Sequence, residues 1–224
     1  MPDIITASAF DRENGVVDWR YMLGRIEATF AAGSFGAAAT FVGRIAEAAT
    51  HAGHVADVDL RPPDLVHVSL ATSEARTITS ADVSLAATIS RLAAADGLES
   101  HPFAATAIEV AIDALDIEAM RPFWKAVLGY EEEPPRQPGG QVFALVDPDR
   151  IGPAFWFQQM DAVRPDRNHI HIDVTVPHDI AEERVAAALA AGGSLVSDDR
   201  ARAFWVLADP EGNEACVCTW QDRD

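Results

Sequence analysis

The chain has 224 residues, 49% of them hydrophobic, and a formal net charge of −18. That length fits one large domain or two ordinary ones with real cores. So acidic a surface repels phosphate backbones and anionic lipid, which argues against nucleic-acid or membrane partners and keeps a protein in solution. The start, Met-Pro-Asp-Ile-Ile-Thr, has no basic region followed by an apolar core, so no secretory signal is expected. No apolar run approaches the ~20 residues of a membrane span. The two cysteines, Cys216 and Cys218, are two apart, a spacing that does not favour a mutual disulfide. A reduced, cytoplasmic protein is the simplest expectation.

In chain order, Val17–Leu23 and Arg25–Phe30 read as strands joined at Leu23-Gly24. Ser34 can cap a helix that carries Phe35, Ala38, Phe41, Val42, Ile45 and Ala49 at helical spacing. Strands follow near 56–61 and 65–72. In the second of these, Val66, Val68 and Leu70 alternate with His67 and Ser69. Thr79-Ser-Ala-Asp82 resembles a capping box with Asp in place of Glu or Gln, ahead of a helix carrying Val83, Ala86, Ile89 and Leu92. The order predicts an antiparallel sheet with helices on one face. Turn-rich Asp96–Pro102 is the expected boundary, giving domains over 1–100 and 104–224.

The second part reads twice. Phe143-Ala-Leu-Val-Asp-Pro-Asp returns as Trp205-Val-Leu-Ala-Asp-Pro-Glu, and Ile108-Glu-Val-Ala-Ile returns as Ile170-His-Ile-Asp-Val. Both offsets are 62 residues, from Asp147 to Asp209 and from Ile108 to Ile170. Strand 107–114, helix 117–128 ended by Gly129, and strands near 130–133, 142–146 and 154–158 form the first copy. Strand 169–176, helix 180–191 ended by Gly192-Gly193, and strands near 194–197, 203–207 and 214–220 form the second. Such a unit buries its apolar face against its own copy. The loop 134–140 could be a lip over a cleft between the copies, and 160–168 is the linker. The Asp-Pro turns read as tight connections without a functional role.

The run Asp116-Ile-Glu-Ala-Met-Arg-Pro-Phe-Trp-Lys-Ala-Val-Leu-Gly-Tyr, followed far downstream by Asp209-Pro-Glu-Gly-Asn-Glu, resembles the glyoxalase/bleomycin-resistance/dioxygenase, or vicinal oxygen chelate, superfamily over about 104–222. The resemblance implies tandem βαβββ units forming a half-open barrel around a ligand cavity. It also implies metal positions on the first and last strands of each copy, which fall on Glu109, a place between Trp156 and Gln158, His171, and Cys216. The last strand offers cysteines where the family usually offers Glu. A Glu, His and Cys set could still hold zinc, but the expectation is no metal. The alternative is that Glu109 and His171 form a polar pair or bind an organic ligand, with His171 as a base near neutral pH. Gln158 would orient a polar ligand, Cys216 would line the cleft, and Trp156 is a platform for a flat ligand. His169 reads as structural.

The first part resembles pterin-4a-carbinolamine dehydratase over about 17–95. The residues that carry this are Trp19, the helix 35–49, Ala52-Gly-His54, Asp59-Leu-Arg61, Val66-His-Val-Ser-Leu-Ala-Thr and Ile78-Thr-Ser-Ala-Asp82. The resemblance implies loss of water from a 4a-hydroxytetrahydropterin, with three histidines as acid and base. Here His54 keeps the first place, Val55 and Ala56 replace a His-Pro pair, and the third place falls on Ser73. His51 is a substitute partner, although the end of a helix suits it to exposed carbonyls.

The expected fold class is therefore α+β. An N-terminal antiparallel sheet with helices on one face precedes C-terminal tandem βαβββ units forming a half-open barrel. The expected function is a small-molecule-binding glyoxalase-like protein whose dehydratase-like domain is inactive. An active dehydratase working through His54, and a non-enzymatic assembly protein forming a homo-oligomer through the first sheet, are the alternatives.

Overall fold

Leu23 and Gly24 both have positive φ, 49° and 88°, the requirement of a tight hairpin turn whose twist matches its strands. That turn sets the first sheet in the computed structural model, which describes residues 3–73, 75, 77–133, 144–163 and 170–223. The loop 134–140, residues 142 and 143 of an expected strand, most of the linker and His169 lie outside the described residues. The chain divides into two units, Met1–Ala107 and Ile108–Asp224.

In the first unit α1 (Ala7–Phe10) precedes β1 (Arg20–Met22) and β2 (Arg25–Ala31), then α2 (Phe35–Ala52), β3 (Asp57–Arg61), β4 (Leu65–Leu70), α3 (Ser80–Asp96) and β5 (Glu99–Ser100). The sheet is antiparallel in the order β1-β2-β4-β3, and β5 also pairs with β2. The turn-rich segment after α3 thus contributes a strand to this unit. Ile26, Ala28 and Phe30 of β2 and Val66, Val68 and Leu70 of β4 alternate onto one face. They share a core with Ala38, Phe41 and Ile45 of α2 and Leu85, Ala86 and Ile89 of α3. Phe30 and Phe41 meet edge to face at 5.5 Å. Ser34 caps α2 by accepting from the Ala37 amide at 3.2 Å.

In the second unit β6 (Glu109–Ala114), α4 (Ile117–Leu128), β7 (Glu131–Glu132), β8 (Ala144–Val146) and β9 (Ala154–Gln159) form the first copy. The second is β10 (Ile172–Thr175), α5 (Ala181–Ala190), β11 (Ser194–Ser197), β12 (Phe204–Ala208) and β13 (Glu214–Cys218). The sheet orders, β6-β9-β8-β7 and β10-β13-β12-β11, are the same topology. The first and last strands of each copy pair in parallel and the others antiparallel. The described strands make two separate four-stranded sheets and no closed barrel.

One core joins the copies. Ile112, Phe123, Trp124, Phe155 and Phe157 from the first lie in the same buried cluster as Val185, Trp205, Leu207 and Val217 from the second. Polar contacts bind them further. Asp209, 3% exposed, accepts from the Trp124 indole at 2.9 Å, and also from the Glu211 and Asn213 amides. The Glu211 carboxylate accepts from the amides of Leu115 and Asp116, which lead into α4. Arg184 of α5 donates to the Val127 carbonyl in the last turn of α4. The second Asp-Pro turn is thus a latch between copies as well as a connection. The first keeps the local part of the pattern: Asp147 accepts from the amides of Asp149, Ile151 and Gly152.

Removing an acceptor from a buried donor costs about 1–3 kcal/mol. Asp209→Ala leaves the Trp124 indole unpaired as well as two turn amides, so urea unfolding should show a loss of at least that size. An unchanged midpoint would mean the latch contributes nothing.

Candidate functional site

Among the described residues, two places gather chemistry-bearing side chains. The first begins at the end of α2. Gly53 adopts φ 63°, a left-handed conformation that glycine takes without strain. Its amide bonds to the Thr50 carbonyl and the next amide, of His54, bonds back to Ala49. This closure of the helix end fixes where the His54 backbone lies. The imidazole is half-buried, and its Nε2 donates to Asp82 Oδ1 at 2.7 Å.

Asp82 lies in the first turn of α3 and is fully buried. Its other oxygen accepts from Thr72 Oγ1 at 2.6 Å, from the Thr79 amide at 2.7 Å and from Thr79 Oγ1 at 3.0 Å. The capping box expected from sequence is therefore formed. It has a second use that the spacing did not disclose, because its acidic member also holds His54. Burial works against the charge on Asp82. The hydrogen bonds from Thr72, His54 and Thr79 outweigh it and hold the carboxyl below the ordinary carboxylate range. Of the other sequence candidates here, His51 is exposed in the last turn of α2, and Val55 and Ser73 are exposed.

The second place is the face of the C-terminal sheets turned away from the helices. Val110, Ile112, Phe155 and Phe157 pack in the core, so the alternate residues of β6 and β9 point the other way. Glu109 and Gln158 are exposed on that face, where Glu109 pairs with Ala154 and Asp113 with Gln158. Trp156 is half-buried between two alanines, Ala111 on β6 and Ala144 on β8, whose small side chains leave room for the indole.

In the second copy Ile172 pairs with Ala215, where Val110 pairs with Phe155 in the first. The last strand is thus offset by two residues fewer than the first strand, and Cys216 corresponds to Trp156. Asp173 and Cys216 are direct partners in the parallel ladder, and His171, two residues before Asp173, points the same way. His171 Nδ1 lies 2.9 Å from an Asp173 oxygen and 3.7 Å from Cys216 Sγ. One donor atom from each of the three falls within 4.8 Å of the others. His171 and Asp173 are exposed and Cys216 is buried. Burial first, then Asp173, push the Cys216 thiol up to about 12, and burial raises Cys218 as well.

Of the sequence candidates, His171 and Cys216 lie together, and Asp173 joins them. Glu109 is not a member of this cluster. Strand alternation from His171 was the signal that could have found Asp173. A nitrogen, an oxygen and a sulfur donor together fit a divalent ion of zinc type, so a divalent metal is compatible with these residues.

Residues 5–92 match the pterin 4 alpha carbinolamine dehydratase family, and residues 109–218 match the glyoxalase-like domain family. A protein of Herpetosiphon aurantiacus, named provisionally as a pterin-4-alpha-carbinolamine dehydratase, is 39% identical over 77 residues, which are 34% of this chain and 79% of that protein. Among solved structures, a transcriptional coactivator/pterin dehydratase from Brucella melitensis is 21% identical with a TM-score of 0.38, over 41% of this chain and 99% of its own. A glyoxalase/bleomycin resistance protein/dioxygenase family enzyme from Burkholderia phytofirmans is 20% identical with a TM-score of 0.37, over 50% and 95%. A fosfomycin resistance protein from Mesorhizobium loti is 11% identical with a TM-score of 0.40, over 50% and 90%.

The lowered carboxyl of Asp82 has a pH signature. Its folded pKa lies below the unfolded value of about 3.9, so its contribution to stability is fully present well above that pH. It is lost as pH falls from about 3.9 through the lower folded value. Stability measured down this range should therefore fall more steeply in the native chain than in Asp82→Asn. Parallel curves would show that the carboxylate is not specially held.

Proposed function

Because the chain belongs to the pterin-4a-carbinolamine dehydratase family through its first unit and carries a glyoxalase-like domain in its second, we propose that it is a small-molecule-binding protein that uses the helix-free face of the second unit and has lost most dehydratase chemistry in the first. The observation that carries this reading is the convergence of His171, Asp173 and Cys216 on that face. The exposed imidazole and carboxylate can exchange hydrogen bonds or a proton with a ligand. With no ion bound Cys216 stays a thiol at neutral pH, because its pKa is pushed up to about 12, so by itself it lines the site and does not attack, and an ion bound there would displace its proton. Trp156 supplies an aromatic surface and Gln158 and Glu109 supply polar contacts on the same side of the neighbouring sheet. A divalent ion held by the three donors would add Lewis acidity toward a ligand oxygen.

Dehydration of a carbinolamine needs an acid for the leaving hydroxyl and a base for a ring N–H proton. Val55 cannot transfer a proton, and Ser73 lacks the acid-base range of an imidazole. Each lost proton-transfer group costs typically about 10²–10⁴ in rate. A specific observation favours the opposite reading. The surviving His54 is held by the fully buried Asp82 at 2.7 Å, an arrangement that fixes the orientation of the imidazole. In that reading His54 would be the proton donor and the first unit would remain a working dehydratase. Association of copies through the first sheet is a further role compatible with either.

Two measurements separate these readings. Native mass spectrometry of the full chain isolated from cells should show a small organic adduct that is lost in Trp156→Arg, where bulk and charge occupy the proposed surface. An adduct retained in that variant, or none in the native chain, would remove the ligand reading. A stopped-flow assay with the 4a-carbinolamine should give a rate near background that rises by about 10²–10⁴ when histidine is restored by Val55→His with Ser73→His. A fast native rate abolished by His54→Ala would establish the dehydratase instead.

A further inference from the structure

A metal set spread over both copies, with Glu109 opposite His171, is what the glyoxalase-like resemblance implies, and the donors are arranged differently. The geometry points to a zinc-type site confined to the second copy, made by His171 Nδ1, an Asp173 oxygen and Cys216 Sγ, with Glu109 taking no part. This deepens the ligand reading of the same face by naming the ion class, and it can fail independently of that reading.

Three observations carry it. First, the backbone already places the donors. Asp173 and Cys216 are paired across the parallel β10–β13 ladder, so their side chains stand side by side, and His171 follows the same alternation. Forming the site needs no movement of strands. Second, the distances suit a small tetrahedral ion. Zinc bonds of about 2.0–2.3 Å at tetrahedral angles separate neighbouring donors by roughly 3.4–3.6 Å. The sulfur and the imidazole nitrogen are 3.7 Å apart, almost in place. The nitrogen and the Asp173 oxygen, at 2.9 Å, must open by roughly half an ångström, which exposed side chains can do by rotating. Third, the donor types select the ion. A buried cysteine by itself needs no explanation. Here its sulfur, 6% exposed as a residue, sits against an imidazole and a carboxylate. One sulfur, one nitrogen and one oxygen favour zinc, or cobalt(II) as its spectroscopic substitute, over magnesium or manganese, which prefer oxygen ligands. Three protein donors leave a fourth tetrahedral position for water or a ligand atom, the pattern of sites that act on a bound molecule rather than merely stiffen a fold.

The first copy has no counterpart. Ala111 stands where Asp173 does and Trp156 where Cys216 does, so of the three positions only Glu109, matching His171, offers a donor. After duplication the two faces became chemically unlike, one a metal-ligand set and the other an indole beside alanines.

Cobalt(II) titration of the full, metal-stripped chain tests this directly. One equivalent should give a sulfur-to-cobalt charge-transfer band in the near ultraviolet, which zinc abolishes and magnesium does not. His171→Ala, an exposed substitution that leaves the core intact, should remove tight binding. Cys216→Ser should remove the band and weaken zinc by more than about 100-fold, beyond the loss typical of an outer-shell partner. Glu109→Gln should leave both unchanged. Circular dichroism confirms that each variant is folded, and His171→Ala decides the matter should Cys216→Ser not fold. Cobalt bound without the sulfur band, zinc affinity unaltered in folded His171→Ala, or equal loss in Glu109→Gln would overturn the site. An organic adduct seen in the absence of zinc binding would overturn this inference while leaving the ligand reading standing.

Discussion

The second unit depends on the burial of one acidic turn between its copies. Asp209 accepts a hydrogen bond from the Trp124 indole inside the shared core, and Glu211 accepts from the amides at the head of α4. Each copy has an apolar face, and keeping it from water requires a surface to cover it. Their common core solves that problem, but apolar packing is non-directional and leaves the relative placement loosely defined. The Asp209 and Glu211 contacts are directional and buried or partly buried, so misplacement leaves donors unpaired at a cost of about 1–3 kcal/mol each. They therefore fix how one copy lies on the other, and with it which residues each sheet presents on its helix-free face.

The first unit solves a similar problem with a carboxylate. Asp82 satisfies the Thr79 amide at the start of α3 and two hydroxyls, and grips the imidazole delivered by the closure of α2. Helix start and helix end are thus joined through one fully buried side chain. The same contact holds a histidine in one orientation, so a structural tie and a chemical group coincide. The bond to Asp82 ties His54 into the fold independently of any chemistry the imidazole performs.

Duplication gave the second unit two chances at each site position, and divergence used them differently. Glu109 and His171 occupy matching positions, as do Trp156 and Cys216 once the two-residue shift in the last strand is allowed for. The shift arises after the Asp-Pro turns. Asp147 accepts amides up to Gly152, and Asp209 only up to Asn213, so the first loop is longer before its final strand begins. A change in a surface loop thus altered which residues of the repeat correspond at the site.

Beyond His171 and Cys216, which the family resemblance placed in one neighbourhood, the sequence by itself determined the duplicated βαβββ pattern, the helices over 35–49 and 117–128 with their caps, and the antiparallel first sheet. These follow from local rules: hydrophobic period, capping chemistry, turn residues and equal spacing of a repeat. Residues 17 and 18, expected in a strand, form a turn instead, closed by the Trp19 amide on the Val16 carbonyl, and the Trp19 indole bonds to Ser90 on a distant helix, a partner that no local pattern reveals. Only the tertiary structure decided that Asp82 holds His54, that Asp173 stands beside Cys216, and that the second Asp-Pro turn binds the first copy. Each of those contacts joins residues on different elements, and their pairing depends on strand register and helix placement, which are settled by packing of the whole unit and not by any stretch of chain alone.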